Sequence, residues 1–231
     1  MKEKEDFRKI LHCSMAVIGG FLGAYALLNR QDVFGNAQTS NMIWIILCIL
    51  GKDVQGVVLR IGGLLLYMAG VVTATLWPKY FRFHLHYLAL LVDAVAMVVL
   101  ALLPKNMDLI LSLYPVFFAA ALQWCAFPGV YGYNCSTIFS TNNLRQCTAA
   151  FAEYLSGGDK KFFHKAKFYA SVLLSYHFGV AISFVVYHFV GITGSLIGLG
   201  FVAVSTAFVV KEQRMEREVE LEQTQMAGQA A

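Results

Sequence analysis

Eight apolar runs follow one another along the chain, separated only by short polar connections. They cover residues 11–28, 39–50, 54–77, 85–103, 109–127, 137–155, 166–190 and 192–210. An α-helix that crosses a bilayer needs about 20 mostly apolar residues, and six of the eight runs come near that length. Charged residues make up 14% of the chain, against about a quarter in soluble domains, which is too few to cover a water-facing surface. The sequence therefore predicts an integral membrane protein.

The fold class expected from these runs is an all-α membrane protein, a polytopic bundle of about six spanning helices plus two short broken helices. Only helices and closed barrels satisfy the backbone in lipid, and the runs lack the alternation of barrel strands, so no sheet is expected. The run at 39–50 is too short to cross, because about 12 residues of helix reach only about 18 Å. The run at 137–155 is interrupted by the polar letters STNNLRQ.

The two short runs resemble each other, which indicates an internal repeat. The letters TSNM at 39–42 match TNNL at 141–144, and each short run is followed by a charged turn, GKD or SGGDKK, and then by two long runs. The chain is therefore divided into a first membrane repeat at 1–103, a second at 104–210 and a charged cytoplasmic tail at 211–231. Broken helices at matching places of two repeats are typical of secondary transporters, whose site lies where the repeats meet.

Two topologies are compatible with this division. Six spanning helices give inverted repeats with both termini in the cytoplasm, whereas eight give parallel repeats. In the six-span arrangement Lys79 and Arg82, the turn DKKFFHKAK and the tail KEQRMER all lie inside. Lysine and arginine are enriched in cytoplasmic loops, but each arrangement leaves about as many of them outside. The length of the short runs favours six spans in the plasma membrane, with both termini cytoplasmic.

Two stretches carry a resemblance to a known family. These are GGFLGAYALLNRQDVFGNAQTSNMIW at 19–44 and QWCAFPGVYGYNCSTIFSTNNLR at 123–145. They resemble the YoaK-like bacterial membrane proteins, a domain family of unknown function with GGFLDAY and VFxNAQTGN in the first half. The second half agrees through the matching positions Gln123, Phe127, Val130, Gly132, Tyr133, Thr137, Thr141, Asn143, Leu144 and Arg145.

The chain departs from the family pattern at three positions. Gly23 replaces the aspartate of the first helix, and Ser40 and Asn142 replace the glycines of the two Thr-Gly-Asn triplets. If that aspartate carries protons or cations in relatives, this chain either lacks the group or uses another residue for the same role. The resemblance implies the architecture more strongly than any activity, because the family's own activity is unassigned.

The polar segment VFGNAQTSNMIW at 33–44 allows two compatible readings. Its hydroxyl and amide side chains cap the short helix, or the start of a half-helix inside the membrane presents its positive dipole end to a solute. We expect residues 33–36 to be irregular, Thr39 to lie near a helix start, and the segment to face the interior opposite residues 137–143. The candidate substrate-binding residues are Asn36, Gln38, Thr39, Asn41, Gln123, Thr137, Thr141 and Asn143.

Asp93 is the ionisable residue that lies in the middle of an apolar run, LALLVDAVAMVVL. A charged group at the centre of a membrane helix costs about 2.5–3.5 kcal/mol on insertion scales, so such a residue indicates a function. The structural reading is a hydrogen-bonded carboxylate facing another helix. The functional reading is proton or cation coupling, for which Asp93 is the best candidate given Gly23.

Several other features bear on sites and partners. No catalytic motif such as His-Glu-x-x-His or Gly-x-Ser-x-Gly occurs, so an enzyme is not expected. The six histidines and five cysteines lack the spacing of ligands, so no metal and no cofactor is expected. Basic residues are dispersed, so nucleic acid is not an expected partner. The GxxxG spacings at 19–23 and 194–198 serve helix packing or a homo-oligomer face.

The expected function is that of a secondary transporter or permease-like carrier for a small polar or amphipathic solute, with the lipid bilayer as its surroundings. The solute would bind between the two repeats, at the Thr39/Asn41 and Thr141/Asn143 segments. The alternative is a non-transporting membrane scaffold or sensor, whose polar motifs only cap helices. A water-accessible cavity between the polar segments would favour the carrier.

Overall fold

The structure is a computed structural model, which describes residues 2–29, 38–104 and 106–229. Within these residues the α-helices are α1 (Lys2–Asn29), α2 (Gln38–Leu50), α3 (Val54–Tyr80), α4 (Leu85–Leu102), α5 (Tyr114–Ala126), α6 (Thr141–Leu155), α7 (Lys160–Val190) and α8 (Gly198–Gln229). Short 3-10 helices at Leu111–Leu113 and Gly191–Ile197 precede α5 and α8. The all-α class predicted from the apolar runs is confirmed.

One small sheet corrects the expectation that the chain has none. Strands β1 (Gly129–Val130) and β2 (Tyr133–Asn134) pair antiparallel directly after α5. Pro128 disfavours a helical backbone at Phe127, which has φ −122° and ψ 70°, and this ends α5. Tyr131 and Gly132 both have positive φ, at 58° and 75°, as the tight two-residue turn of a hairpin requires. The apolar run at 109–127 therefore ends in a hairpin.

Four helical stretches in the described part of the chain are long and apolar enough to cross a membrane. They are Glu3–Leu28, Val54–Tyr80, Leu85–Leu102 and Lys160–Val219, and the last contains α7, the second 3-10 helix and most of α8. Gln38–Leu50 and Leu111–Ala126 are apolar but shorter. The membrane class is thus supported. The predicted count of six spans is not confirmed. The apolar helix Leu111–Ala126 is short because α5 begins only at Tyr114, and α7 and α8 fall in one helical stretch although Gly191, with φ 69°, divides them.

Helices α1 and α7 form the most extensive helix pair among the described residues, and they run parallel, since His12 contacts Phe168 and Tyr25, further along α1, contacts Tyr187. A Cβ at Gly20 would collide with the Tyr176 carbonyl oxygen, and one at Gly179 would collide with the Val17 carbonyl oxygen. Glycine at both positions removes the side chain that would hold the backbones apart. Helices α3 and α5 also run parallel, since the Tyr114 hydroxyl donates to the Leu59 carbonyl at 2.8 Å and Gly70 lies further along, near Ala121.

Two other helix pairs run antiparallel. Gln123 near the end of α5 bonds the Met15 carbonyl of α1 at 2.9 Å, and Tyr131, beyond α5, bonds Asp6 near the start of α1. Helices α4 and α8 pair in the same manner, because Tyr87 bonds Gln213 at 3.2 Å while Met97 packs against Gly198. One end of the bundle therefore contains the starts of α1, α4 and α7. The ends of α3 and α5 and the charged part of α8 lie at the same end. We call this the charged end.

The main hydrophobic core lies among α1, α4, α5 and α8. Its completely buried members include Met15, Ile18 and Phe21 of α1. A second cluster, around Phe168 and Val172 of α7, packs α7 and the hairpin against α1. Burial on α1 is nearly complete from Leu11 to Ala26, so this helix is the centre of the bundle and its polar neighbours lie inside the protein.

Candidate functional site

The segment before α6 is non-helical and buried. Thr137 and Ile138 are at most 1% exposed. Asn143, one turn into α6, holds the segment: its Oδ1 accepts from the Ser136 amide at 3.1 Å, and its Nδ2 donates to the carbonyls of Ser136 and Phe139. Non-helical backbone inside a membrane protein must be satisfied by the protein itself, and Asn143 provides these bonds.

Asn143 does not cap α6 in the way expected of a polar residue at a helix start. Ser140 precedes α6 and makes no side-chain cap bond among the described residues, and Thr141 is exposed. Asn143 instead reaches back to the segment that precedes the helix. The triplet therefore shapes the chain before α6, because its asparagine supplies one acceptor and two donor bonds at a single buried position.

Gln123 and Thr137 form a second buried polar contact. Gln123 Nε2 donates to the Thr137 hydroxyl and to the Met15 carbonyl, both at 2.9 Å. Both side chains are at most 1% exposed. These bonds join α5, the segment before α6 and α1, so two predicted site residues do lie together, at the centre of the bundle.

Gly19 lets that segment approach α1. A Cβ there would collide with the Thr137 carbonyl oxygen and lie 3.2 Å from the Ile138 Cα. Gly194 and Gly198 pack in the same way within the chain, against Val186 and Met97. The GxxxG spacings therefore contribute helix packing inside the bundle, and their use in a homo-oligomer stays a prediction.

The first polar segment is described only from Gln38 onward. Asn36 and the expected irregular residues 33–36 lie outside the described residues. Helix α2 begins at Gln38, so Thr39 lies near a helix start as predicted, and its side chain is exposed. Asn41 Nδ2 donates to Gln38 Oε1 at 2.9 Å and to the Arg60 carbonyl of α3 at 3.0 Å.

The two triplets are held against different helices. Helix α2 packs chiefly on α3, and α6 packs chiefly on α7. Asn41 and Asn143 each bond within their own half of the chain. A solute site enclosed by Thr39, Asn41, Thr141 and Asn143 would need these helices to face each other, and their packing does not supply that arrangement among the described residues.

Asp93 is completely buried on α4. Neither of its carboxylate oxygens has a hydrogen-bond partner among the residues that the structure describes. Its neighbours on the same helix face are apolar, including Leu90 and Met97, and α4 packs there against α5, α8 and the second 3-10 helix. An ionised carboxylate buried without a partner is strongly unfavourable, so this side chain must carry a proton or acquire a cation.

A cavity of about 310 Å³ opens at the charged end, and we call it the charged-end cavity. It is lined by Glu5, Arg8, Leu11, His12, His86, Ala126, Phe127, Pro128, Gly129, Val130, Tyr131, Gly132 and Glu212. Helices α1 and α4 contribute from the first half of the chain, and α5, the hairpin and α8 from the second. The cavity is therefore formed where the two halves meet.

An ion-pair network around one buried carboxylate, Glu212, forms one wall of the charged-end cavity. Arg8 donates to Glu212 at 2.8 Å, to Glu216 at 2.7 Å and to Glu5 at 3.2 Å. Glu212 is only 4% exposed, and its second oxygen lies 3.5 Å from Nδ1 of His86. A buried carboxylate needs such partners, because removing one would leave an uncompensated charge.

His12 and His86 give the cavity further polar atoms. The His12 ring is 3% exposed and bonds the backbone of Cys135, while its Nε2 has no partner among the described residues. His86 stacks on Phe127, with ring centroids 4.5 Å apart. Burial, and then the Asp6 carboxylate, raise the pKa of the Tyr131 phenol, so Tyr131 remains a hydrogen-bond donor.

Reasoning from the sequence did not find this cavity. Arg8 and Glu212 are 204 positions apart, and no local spacing relates them. The charge run of α8 reads as a solvated face when considered alone. Within the described chain, no group of three or more His, Cys, Asp or Glu side chains is placed to hold a metal ion.

Comparison with known proteins gives a family. Neither the curated proteins nor the solved structures contain a match to this chain. The model of a family described as "Protein of unknown function (DUF1275)" matches residues 11–209, which include both polar segments and Asp93. The YoaK-like proteins belong to the same family, so the resemblance seen in the sequence is confirmed. The chain belongs to the DUF1275 family.

Proposed function

We propose that this chain is a secondary transporter or permease-like carrier for a small polar or amphipathic solute, which enters through the charged-end cavity. The observation that carries the proposal is the place of that cavity: both halves of the chain line it, and buried ionisable groups form its wall. Ligand sites are concave, with a few fixed polar groups, and in transporters they lie where two repeats meet.

The pairing of helices supports two inverted repeats, α1–α4 and α5–α8. Helix α1 packs on α7 and α8, and its counterpart α5 packs on α3 and α4. The short helices α2 and α6 each pack on the next long helix. The counterparts α1 and α5 run antiparallel, as do α4 and α8, which is the relation expected of inverted repeats.

The turns after the two short helices support the same division. Asp53 precedes α3 and accepts a bond from the Gly56 amide, and Asp159 precedes α7 and accepts one from the Lys161 amide. A residue with positive φ lies just before each aspartate, Lys52 in the first turn and Gly157 in the second. Each half therefore repeats the order short helix, tight turn, aspartate cap and long helix.

The distribution of positive charge supports cytoplasmic termini in the plasma membrane. Lys79 and Arg82 follow the end of α3, residues 160–167 begin α7, and residues 211–217 belong to the charged part of α8. These segments lie at the charged end together with the start of α1. Because lysine and arginine are enriched on the cytoplasmic side, the charged-end cavity opens toward the cytoplasm.

Polar groups continue from the cavity into the bundle. Asp93 follows His86 by two helical turns on the same face of α4, which is about 10 Å deeper. Gln123 lies one turn deeper than Phe127 on α5, where it bonds Thr137. A solute or proton that reaches the cavity therefore has Gln123, Thr137 and Asp93 as its next polar contacts, and Asp93 is the coupling group in this proposal.

A second candidate function is that of a membrane scaffold or sensor without transport. The observation in its favour is that Asn41 and Asn143 are used in bonds within the chain. In this alternative the polar segments only shape helices, and the cavity holds the ion pairs that fix α8 against α1.

Ligand binding can be tested by a thermal-shift screen of small polar metabolites on the purified protein, since a ligand that binds only the folded state raises its melting temperature. The cavity variant is His12→Asn, which removes Nε2 but keeps an amide nitrogen near Nδ1. Its matched control is His177→Asn, an exposed histidine whose Nδ1 contacts the Leu173 carbonyl at 2.8 Å. A ligand of the cavity should stabilise the wild type and His177→Asn but not His12→Asn.

Transport itself is measured with the same compound in proteoliposomes. Wild-type protein should accumulate the solute when a proton gradient is imposed, and Asp93→Asn should bind it but lose the accumulation. Uptake equal to that of protein-free liposomes would contradict the carrier and favour the scaffold or sensor. Equal stabilisation of His12→Asn and wild type would contradict the location of the site.

A further inference from the structure

A second cavity, of about 610 Å³, lies at the charged end on the outside of the bundle. It is formed between the starts of α1 and α7 and the hairpin, away from the wall made by Arg8 and Glu212. Three basic side chains line it, namely Lys9, His164 and Lys167. We call it the lateral cavity.

The basic groups of the lateral cavity are available to a ligand. Among the described residues, the ion pairs of this end use Lys4, Arg8 and His86, and neither Lys9 nor Lys167 takes part. The acidic residue in the lining, Asp6, accepts a bond from the Tyr131 hydroxyl at 2.6 Å. The lateral cavity therefore has an excess of positive charge, which favours an anionic ligand.

Its position relative to the apolar part of the helices identifies the kind of anion. Helices α1 and α7 run parallel, and both change from charged to apolar at the level of this cavity. Lys9 is followed by Ile10, which is 51% exposed, and Lys167 is followed by Phe168. Lys160, Lys161 and Lys165 of α7 add further positive charge at this end of the helix. The cavity thus lies where a lipid headgroup meets its acyl chains.

Aromatic rings at the lateral cavity are a further feature that is typical of a membrane–water interface. Tyr133 lines the cavity, and the Lys165 ammonium lies over its ring at 5.7 Å and over that of Tyr169 at 5.9 Å. Tyrosine and lysine side chains are enriched at membrane interfaces, and basic pockets beside membrane helices bind anionic lipid headgroups.

We infer that the lateral cavity binds the headgroup of an anionic phospholipid, with Lys9, His164 and Lys167 around the phosphate and the exposed side chain of Ile10 against the upper acyl chains. The two cavities share Tyr131 in their linings, but Lys9, His164 and Lys167 do not line the charged-end cavity, and the inference does not depend on transport. A zwitterionic phospholipid carries a compensating positive charge and would bind less well.

The test compares lipids on full-length protein that has been purified in a neutral detergent and stripped of lipid. Dioleoyl phosphatidylglycerol should raise the melting temperature by about 5 °C more than dioleoyl phosphatidylcholine does. The double variant Lys9→Gln/Lys167→Gln should lose most of that difference. The control Lys160→Gln/Lys161→Gln removes the same charge from exposed positions at the same end that do not line the cavity. This control should keep the difference in melting temperature between the two lipids.

Three outcomes would overturn the inference. Equal shifts with the two lipids on wild-type protein would exclude selective binding, and this comparison needs no variant to fold. Equal losses in both double variants would assign the effect to surface charge in general. If glycerol phosphate, which has no acyl chains, shifted the melting temperature as much as phosphatidylglycerol does, the cavity would be a site for a small anion and not for a lipid.

Discussion

Asn41 and Asn143 occupy matching positions of the two short helices, yet they stabilise different parts of the fold. Asn143 bonds the backbone of the non-helical segment before its own helix, at Ser136 and Phe139. Asn41 bonds Gln38 one turn earlier and the Arg60 carbonyl of the neighbouring helix. The same side chain at the matching place of two similar sequence triplets therefore secures a loop in one half of the chain and a helix pair in the other.

The difference shows what each half requires. The segment before α6 lies under α1 at Gly19 and is buried, so its amide and carbonyl groups depend on partners from the protein. The Arg60 carbonyl belongs to a long helix, where the helix itself provides a partner. Loss of Asn143 should therefore cost more than loss of Asn41, and the following variants test that order.

The largest effect is expected for Asn143→Leu. The Ser136 amide would lose its acceptor, and the Ser136 and Phe139 carbonyls would lose a donor, so the free energy of unfolding should fall by about 3 kcal/mol. Reversible unfolding in SDS measures this quantity. Trp124, whose ring lies 5.0 Å from that of Phe139, should report a local change in its fluorescence. Asn142→Leu, at an exposed neighbouring position, is the control and should change little.

Gly19→Ala should have an intermediate effect, through the same segment. The new Cβ meets the Thr137 backbone, which cannot rotate away as a flexible side chain could, and the strain should lower the free energy of unfolding by about 2 kcal/mol. Gly200→Ala is the matched control, because a Cβ at Gly200 has nothing within 4 Å. Equal stability of the two alanine variants would show that the segment can move away from α1.

Asn41→Leu should have the smallest effect, about 1 kcal/mol, since the Arg60 carbonyl keeps its helical partner. The SDS titration again provides the measurement, with exposed Thr39→Val as the control. Trp44 is the local reporter here, because the Arg60 guanidinium lies 5.0 Å from its ring centroid. If Asn41→Leu lowered the free energy of unfolding as much as Asn143→Leu does, the two asparagines would not differ in the way proposed.

The sequence predicted the parts of this fold that depend on local pattern. The apolar runs gave the long helices α1, α3, α4 and α7, and the polar triplets gave the starts of α2 and α6, because both depend on the spacing of neighbouring residues. The same rule that predicted an interior position for residues 33–44 accounts for the burial of Thr137 and Asn143, since irregular backbone in lipid must lie inside the protein.

What depends on distant parts of the chain was not predicted. Residues 129–134 lie between two apolar runs, and no strand was predicted there, although Pro128 and Gly132 are ordinary signals of a turn. The role of Asn143 could not be read from a helix-start pattern, because its partners precede the helix. The charged-end cavity needs α1 and α8 together, and only the packed bundle provides that.

The parallel contact between α1 and α7 has a consequence for synthesis. Domains and helices emerge from the ribosome in order, from the N-terminus onward. The glycine face of α1 closes on Tyr176 and Gly179, so its partner is synthesised only after five other helices. Until then, the most deeply buried helix of the finished protein must wait in lipid or in the insertion machinery. A chain arrested before α7 would leave that face uncovered, which makes it a natural signal for quality control.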